Sequence, residues 1–384
     1  MEFRFTHAPH HVKMSLVKNI EIGKNEEGQR LDRFLRKFLA KAPLSLIYKA
    51  VRKDVKVNGR RCAEDYMLQE GDVLSLYLTD AEIDKYREIR KMPRARRQFG
   101  IVYEDEQVLI VDKPYGLLTH GDGKEKKNHL ANQVVDYLIE TEAYVPRAAG
   151  TFIPAPANRI DRNTTGLVCF GKTAAAQREL AALFREHGRL EKIYLALTAG
   201  ELREELHLRD RLVKDEARNR VEVLPESPAT AQTETGSGAE TGVYAETIAR
   251  PLKTGNGFTL AEVRILTGRT HQIRAQLAAA GYPLVGDPKY GDRMVNEKAR
   301  KRLETEGLFL HARELRFGEL EGVLAPLSGR KLLCEVPARF REAERVLLGE
   351  TETKRFKNER ENTENGKPKD RRTGTGKKRG ESAR

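Results

Sequence analysis

One carboxylate stands apart in the stretch NRIDRNTTGLVCFGK, residues 158–172. Asp161 lies between Arg159 and Arg162, ahead of a Thr-Thr-Gly turn and of LVCFGK, which has the pattern of a buried strand. A carboxylate close to a cation is held ionised, the form in which it can attack carbon or remove a proton. In extended backbone, residues i±1 point away from residue i. The two flanking arginines are therefore expected to face outward, toward a partner, and Asp161 needs a cation from elsewhere in the chain. The plainer alternative is an Asx-type turn, in which the carboxylate only accepts backbone N–H groups.

The partner is suggested by charge. The chain has 384 residues, with 70 Lys and Arg against 57 Asp and Glu, a formal net charge of +13. That balance favours a polyanion, nucleic acid first. No run of about 18 apolar residues is present to span a bilayer, and the first residues lack the apolar core of a signal peptide. Cys62, Cys169 and Cys334 are odd in number and far apart, which fits neither a disulfide framework nor a zinc site. The expectation is a cytoplasmic protein without a structural metal. No heptad seam is visible, so a monomer is the default.

The elements that must position Asp161 fall into two units. Residues 14–81 follow a short N-terminal extension, 1–13. In GQRLDRFLRKFLAK, Leu31, Phe34, Leu35, Phe38 and Leu39 recur with the period of one helix face, and the other face carries Arg30, Arg33, Arg36, Lys37 and Lys41. Ser45 is expected to cap a second helix, SLIYKAVRK. Asn58-Gly59 reads as a hairpin turn, and GDVLSLYL as a closing strand. RLDRFL, the Ser45 helix start and VRKDVKVNGRRC together resemble the S4-like RNA-binding domain, although Asp54 stands where that family often has Gly. The resemblance implies RNA contacts from Arg30, Arg33, Lys49, Arg52, Lys53, Lys56, Asn58, Arg60 and Arg61. Residues 82–98 read as a charged linker. The tail, 351–384, has 12 basic and 6 acidic residues, a net +6, and lacks the apolar content to order itself.

Between 99 and 350, strand and helix signals alternate: VLIVDKP, NHLANQVVDYLIE, LVCFGK, AAAQRELAALFREHG, EKIYLALT, FTLAEVRIL, THQIRAQLAAAG and LFLHARELRF. They predict an α+β domain around a mainly antiparallel sheet. The polar stretch 224–242 reads as a long loop.

Four of these segments resemble, in order, the motifs of the RluA-type pseudouridine synthases. They are VDKPYGLLTH (111–120), NRIDRNTTGLVCFGK, EKIYLAL (191–197) and TGRTHQIRAQLAAAGYPLVGDPKYG (267–291), with LFLHARELRF following. The resemblance runs from about 99 to 340. Asn158 stands where many members have His, a loop-supporting position, and Gln276 stands where His is common. The resemblance implies a pseudouridine synthase fold and the isomerisation of uridine to pseudouridine, which breaks N1–C1′ and joins C5 to C1′. Atoms and electrons are conserved in that reaction, so no metal or redox cofactor is implied. It also implies that Asp161 is the reacting group and that Arg274 is its paired cation. Tyr194 would stack on the flipped uracil and assist proton removal from C5. Arg159 would fill the gap that the extruded base leaves. Leu310 would wall the base pocket or pack in the core. The S4-like unit implies ribosomal RNA of the large subunit as substrate, with transfer RNA as the alternative. Two rival readings fit these residues less well. A non-catalytic RNA-binding or ribosome-assembly protein would be expected to have lost one of Asp161, Tyr194 and Arg274. A glycosidase usually needs two carboxylates.

Overall fold

The computed structural model describes residues 17–86, 96–146, 151–215, 217–225, 242–303 and 307–349. The expectations for 1–13, for most of the linker and of the 224–242 loop, and for the tail 351–384 lie outside these residues. Three short strands, β1 (Lys18–Glu21), β2 (Val55–Val57) and β3 (Val73–Leu76), form an antiparallel sheet in the order β1-β3-β2. Helices α1 (Leu31–Phe38) and α2 (Leu44–Lys53) pack on it. The apolar face of α1 is buried, with Phe34 and Phe38 stacked at 5.8 Å.

Three local expectations change here. Pro43, not Ser45, is the N-cap of α2, and no side chain caps it; a proline with φ −64° already has the extended geometry that the start requires. Asn58 and Gly59 do form a turn with both φ values positive (50° and 76°). However, the chain pairs back only through a single Val57–Arg60 bridge, and the next strand, β3, starts at Val73. Finally, α3 (Asp80–Tyr86) runs into the segment read as linker and buries Ile83.

The second unit is built on one ten-stranded sheet. In chain order its elements are β4 (Gly100–Glu104), β5 (Val108–Lys113), α4 (Leu130–Glu140), β6 (Thr165–Gly171), α5 (Ala174–Arg185), β7 (Leu190–Ala199), β8 (Leu206–Asp215), β9 (Arg220–Pro225), β10 (Val243–Gly255), β11 (Phe258–Ile265), α6 (Gln272–Ala279), α7 (Arg293–Leu303), β12 (Leu310–Phe317), β13 (Lys331–Leu333) and α8 (Ala338–Leu348). The strand order is β4-β5-β6-β12-β7-β11-β10-β8-β9, with β13 also on β12. Among the described residues every pairing is antiparallel except β12 with β6. Apolar residues on both faces of β5, β6 and β7 make these strands continuous hydrophobic runs, each face covered by helices. Val111, Val168 and Phe170 pack under α4; Ile110, Leu167 and Cys169 pack against α5. Leu195 and Leu197 meet α7 and α8, whereas Ala196 meets α6.

The two units touch through side chains of the β1–α1 turn. Glu26, 6% exposed, accepts the Thr151 backbone N–H at 2.9 Å, and Asn25 Oδ1 accepts that of Ala174, at the start of α5, at 3.3 Å.

Candidate active site

Asp161 sits on the loop that enters β6, and the loop is fastened at almost every residue. Asn158 accepts the Cys169 N–H (2.9 Å) and donates to the Leu167 carbonyl (3.2 Å), fixing the loop to β6. Thr119 Oγ1 donates to the Ile160 carbonyl at 2.8 Å. Lys113, at the end of β5 and wholly buried, donates from Nζ to the carbonyls of Pro114, Leu117 and Arg162 at 3.0, 2.7 and 3.0 Å. Burial lowers its pKa to about 7, although Asp161 and Asp112 act in the other direction. Three acceptors require three N–H groups, so the contacts favour the ammonium. Arg162 completes the fastening by donating to the Gly116 carbonyl (2.9 Å).

The carboxylate of Asp161 accepts no backbone N–H among the described residues. Its partner is Arg274 on α6, whose Nη1 lies 2.6 Å from Oδ2. The Asx-turn alternative is thereby set aside. Arg274 is clamped from behind by Asp287, with Nε and Nη2 at 2.7 and 2.8 Å from its two oxygens. The Asp287 side chain is fully buried and also accepts the N–H groups of Lys289 and Tyr290. For both groups burial opposes charge. The mutual bonds outweigh it, lowering the Asp287 pKa and raising that of Arg274, to which Asp161 also contributes. The Asp161 side chain is 30% exposed, so the ion pair opens to solvent on the carboxylate side.

Tyr194, on β7, lies at the seam between the cores under α4 and under α6. Burial, with a further contribution from the charge of Asp161, pushes its phenol well above the ordinary tyrosine range. Arg159 is exposed and Leu310 is packed among Ala196, Val263, Ile273 and Leu277. The structure therefore brings Asp161, Arg274 and Tyr194 together and leaves Arg159 at the surface.

In the N-terminal unit Arg33, Lys49, Arg52, Lys53, Arg60 and Arg61 are exposed. Arg30 is paired with Asp32 at 3.0 Å, and Lys56 lies over the Tyr77 ring. Asn58 is exposed, and its side-chain amide donates to Asp72 (2.7 Å) and accepts the Val73 N–H (2.8 Å), holding the turn to β3.

Residues that the sequence reading left without a role are Lys113, His271, Asp287 and Tyr290. All four lie inside motifs already singled out. Their spacing shows that a motif is present, not which side chain turns inward. Among the described residues no group of three or more His, Cys, Asp or Glu is placed to hold a metal ion, and no helix is long and apolar enough to cross a membrane.

The human protein RNA Pseudouridylate Synthase Domain Containing 4 shares the fold with a TM-score of 0.51, at 21% identity over 66% of this chain and 95% of that one. A family model described as RNA pseudouridylate synthase matches residues 107–279. Two similar relatives, each named ribosomal large subunit pseudouridine synthase C, come from Vibrio vulnificus (32% identical over 308 residues) and Haemophilus ducreyi (33% over 307 residues). Each alignment covers 78% of this chain and 88% of the relative. The chain belongs to the RNA pseudouridylate synthase family.

Proposed function

We propose that the protein isomerises uridine to pseudouridine in large-subunit ribosomal RNA, with Asp161 as the group that acts on the extruded nucleoside. The observation that carries this reading is the 2.6 Å pairing of Asp161 with a buried arginine, beside Tyr194 and open to solvent on one side. Arg274 orients the carboxylate and balances its charge. Tyr194 supplies a flat apolar surface for the base. Its raised pKa keeps the phenol protonated at neutral pH, which supports stacking rather than action as a phenolate base. Arg159, exposed two residues before Asp161, is free to occupy the space left by the extruded uridine. The names of the relatives and the exposed basic residues of the N-terminal unit support ribosomal RNA as the substrate.

The test is Asp161→Asn. Pseudouridine formation on large-subunit RNA should fall to background while RNA affinity stays within about twofold of wild type. Mapping pseudouridines in total RNA with and without the gene would identify the target. Normal turnover by Asp161→Asn would refute the assignment.

A further inference from the structure

Tyr290 holds His271 through a hydroxyl–imidazole contact. The Tyr290 hydroxyl accepts the Val221 N–H at 2.7 Å, and the His271 Nδ1 lies 3.0 Å from the same oxygen. With one lone pair taken by the Val221 N–H, the hydroxyl can donate its own hydrogen to Nδ1. A ring nitrogen that accepts a hydrogen bond carries no proton, and the neutral imidazole then bears it on Nε2. That Nε2 lies 3.9 Å from Oδ2 of Asp161, the oxygen already held by Arg274. No hydrogen bond reaches Oδ1 among the described residues. His271 is also the N-cap of α6 in a left-handed conformation, φ 53° and ψ 17°. This backbone is unfavourable for a residue with a Cβ and is concentrated at functional sites. The ring faces Asp161, Arg274, Lys289 and Asp287; burial is the largest influence and lowers its pKa, which favours the neutral form.

We infer that His271 is a positioning residue: its neutral, Nε2-protonated ring closes on Oδ2 of Asp161 when RNA is bound, so that Arg274 and His271 together occupy that oxygen and Oδ1 is the one presented to the nucleoside. Contacts of this kind are often long in a free enzyme and tighten in the complex. The relay begins on β9, since Val221 donates the first hydrogen bond. Lys289 Nζ donates to the Asn219 carbonyl at 2.6 Å, and the Arg220 guanidinium lies 4.9 Å from the Tyr290 ring centre. The β8–β9 hairpin thus sets the proton position beside the reacting carboxylate.

The inference rests on Asp161 being the reacting group, and its test separates the two. In the full chain labelled with ¹⁵N-histidine, long-range ¹H–¹⁵N spectra at neutral pH should show His271 protonated at Nε2 only, and Tyr290→Phe should mix the two tautomers. His271→Gln, which keeps a donor, should retain kcat within about threefold, whereas His271→Leu should lose about tenfold in kcat with KM and Tm little changed. An Nδ1-protonated ring or an imidazolium in the wild type would overturn the inference, as would a normal kcat in His271→Leu. If Asp161→Asn remained active, the functional reading would fail while the tautomer result stood.

Discussion

Asp161 and Asp287 share one arginine, yet their surroundings give them opposite tasks. Asp287 has no exposed side-chain surface and all its acceptors are directed at Arg274 and two backbone N–H groups. Asp161 keeps an open oxygen. Removing one partner of a buried pair leaves the other charge uncompensated, at roughly 3–5 kcal/mol. Asp287→Ala is therefore expected to lower unfolding free energy by that order and to inactivate, and Arg274→Ala to do the same. Asp161→Ala should inactivate with a loss of about 1 kcal/mol or less, the range for a partly solvated pair. Urea denaturation of the three variants checks the ordering; equal losses would remove the distinction. Asp161 and Arg274 were legible in the sequence because their motifs carry them. His271 was not, since no pattern of residue types reveals a left-handed N-cap.

At the level of elements, the loop that carries Asp161 leads into β6, whose pairing with β12 is the one parallel contact among the described residues. Gly166, in β6, has φ 109°, and a Cβ there would lie 2.2 Å from the Ala312 carbonyl oxygen of β12. Gly166→Ala combines a strained backbone with a clash and should cost about 3 kcal/mol. It should also impair turnover, because Asp161 lies five residues upstream. A Tm and a kcat close to wild type would show that the strands tolerate separation. The central strands were readable as apolar runs. Strands β8, β9 and β10 were not: LHLRDRLVKD exposes one face and carries charges within its alternation, so little apolar signal remains. Helix α7 escaped for the same reason, as only Ala299 and Leu303 are buried.

For the whole molecule, acid stability is tied to His311, which is fully buried on β12 and bonded through Nδ1 to Thr165 Oγ1 at 2.8 Å. Burial, the largest cause, lowers its pKa to about 4. The unfolded ring binds a proton near pH 6.5 and the folded one only near 4, so stability falls as pH drops through that window. The loss should reach about 2 kcal/mol by pH 5. His311→Asn should show a shallower decline in stability between pH 7 and 5 than wild type, measured by denaturant titration; parallel declines would exclude His311 as the cause. The strand that carries His311 has a further consequence. β12 lies between β6, which follows Asp161, and β7, which carries Tyr194, yet it is later in the chain than Asp161, Tyr194 and Arg274 alike. A polypeptide emerging during translation thus holds Asp161, Tyr194 and Arg274 before it owns the strand that lies between β6 and β7. Closure of the sheet around these residues waits on the synthesis of Leu310–Phe317.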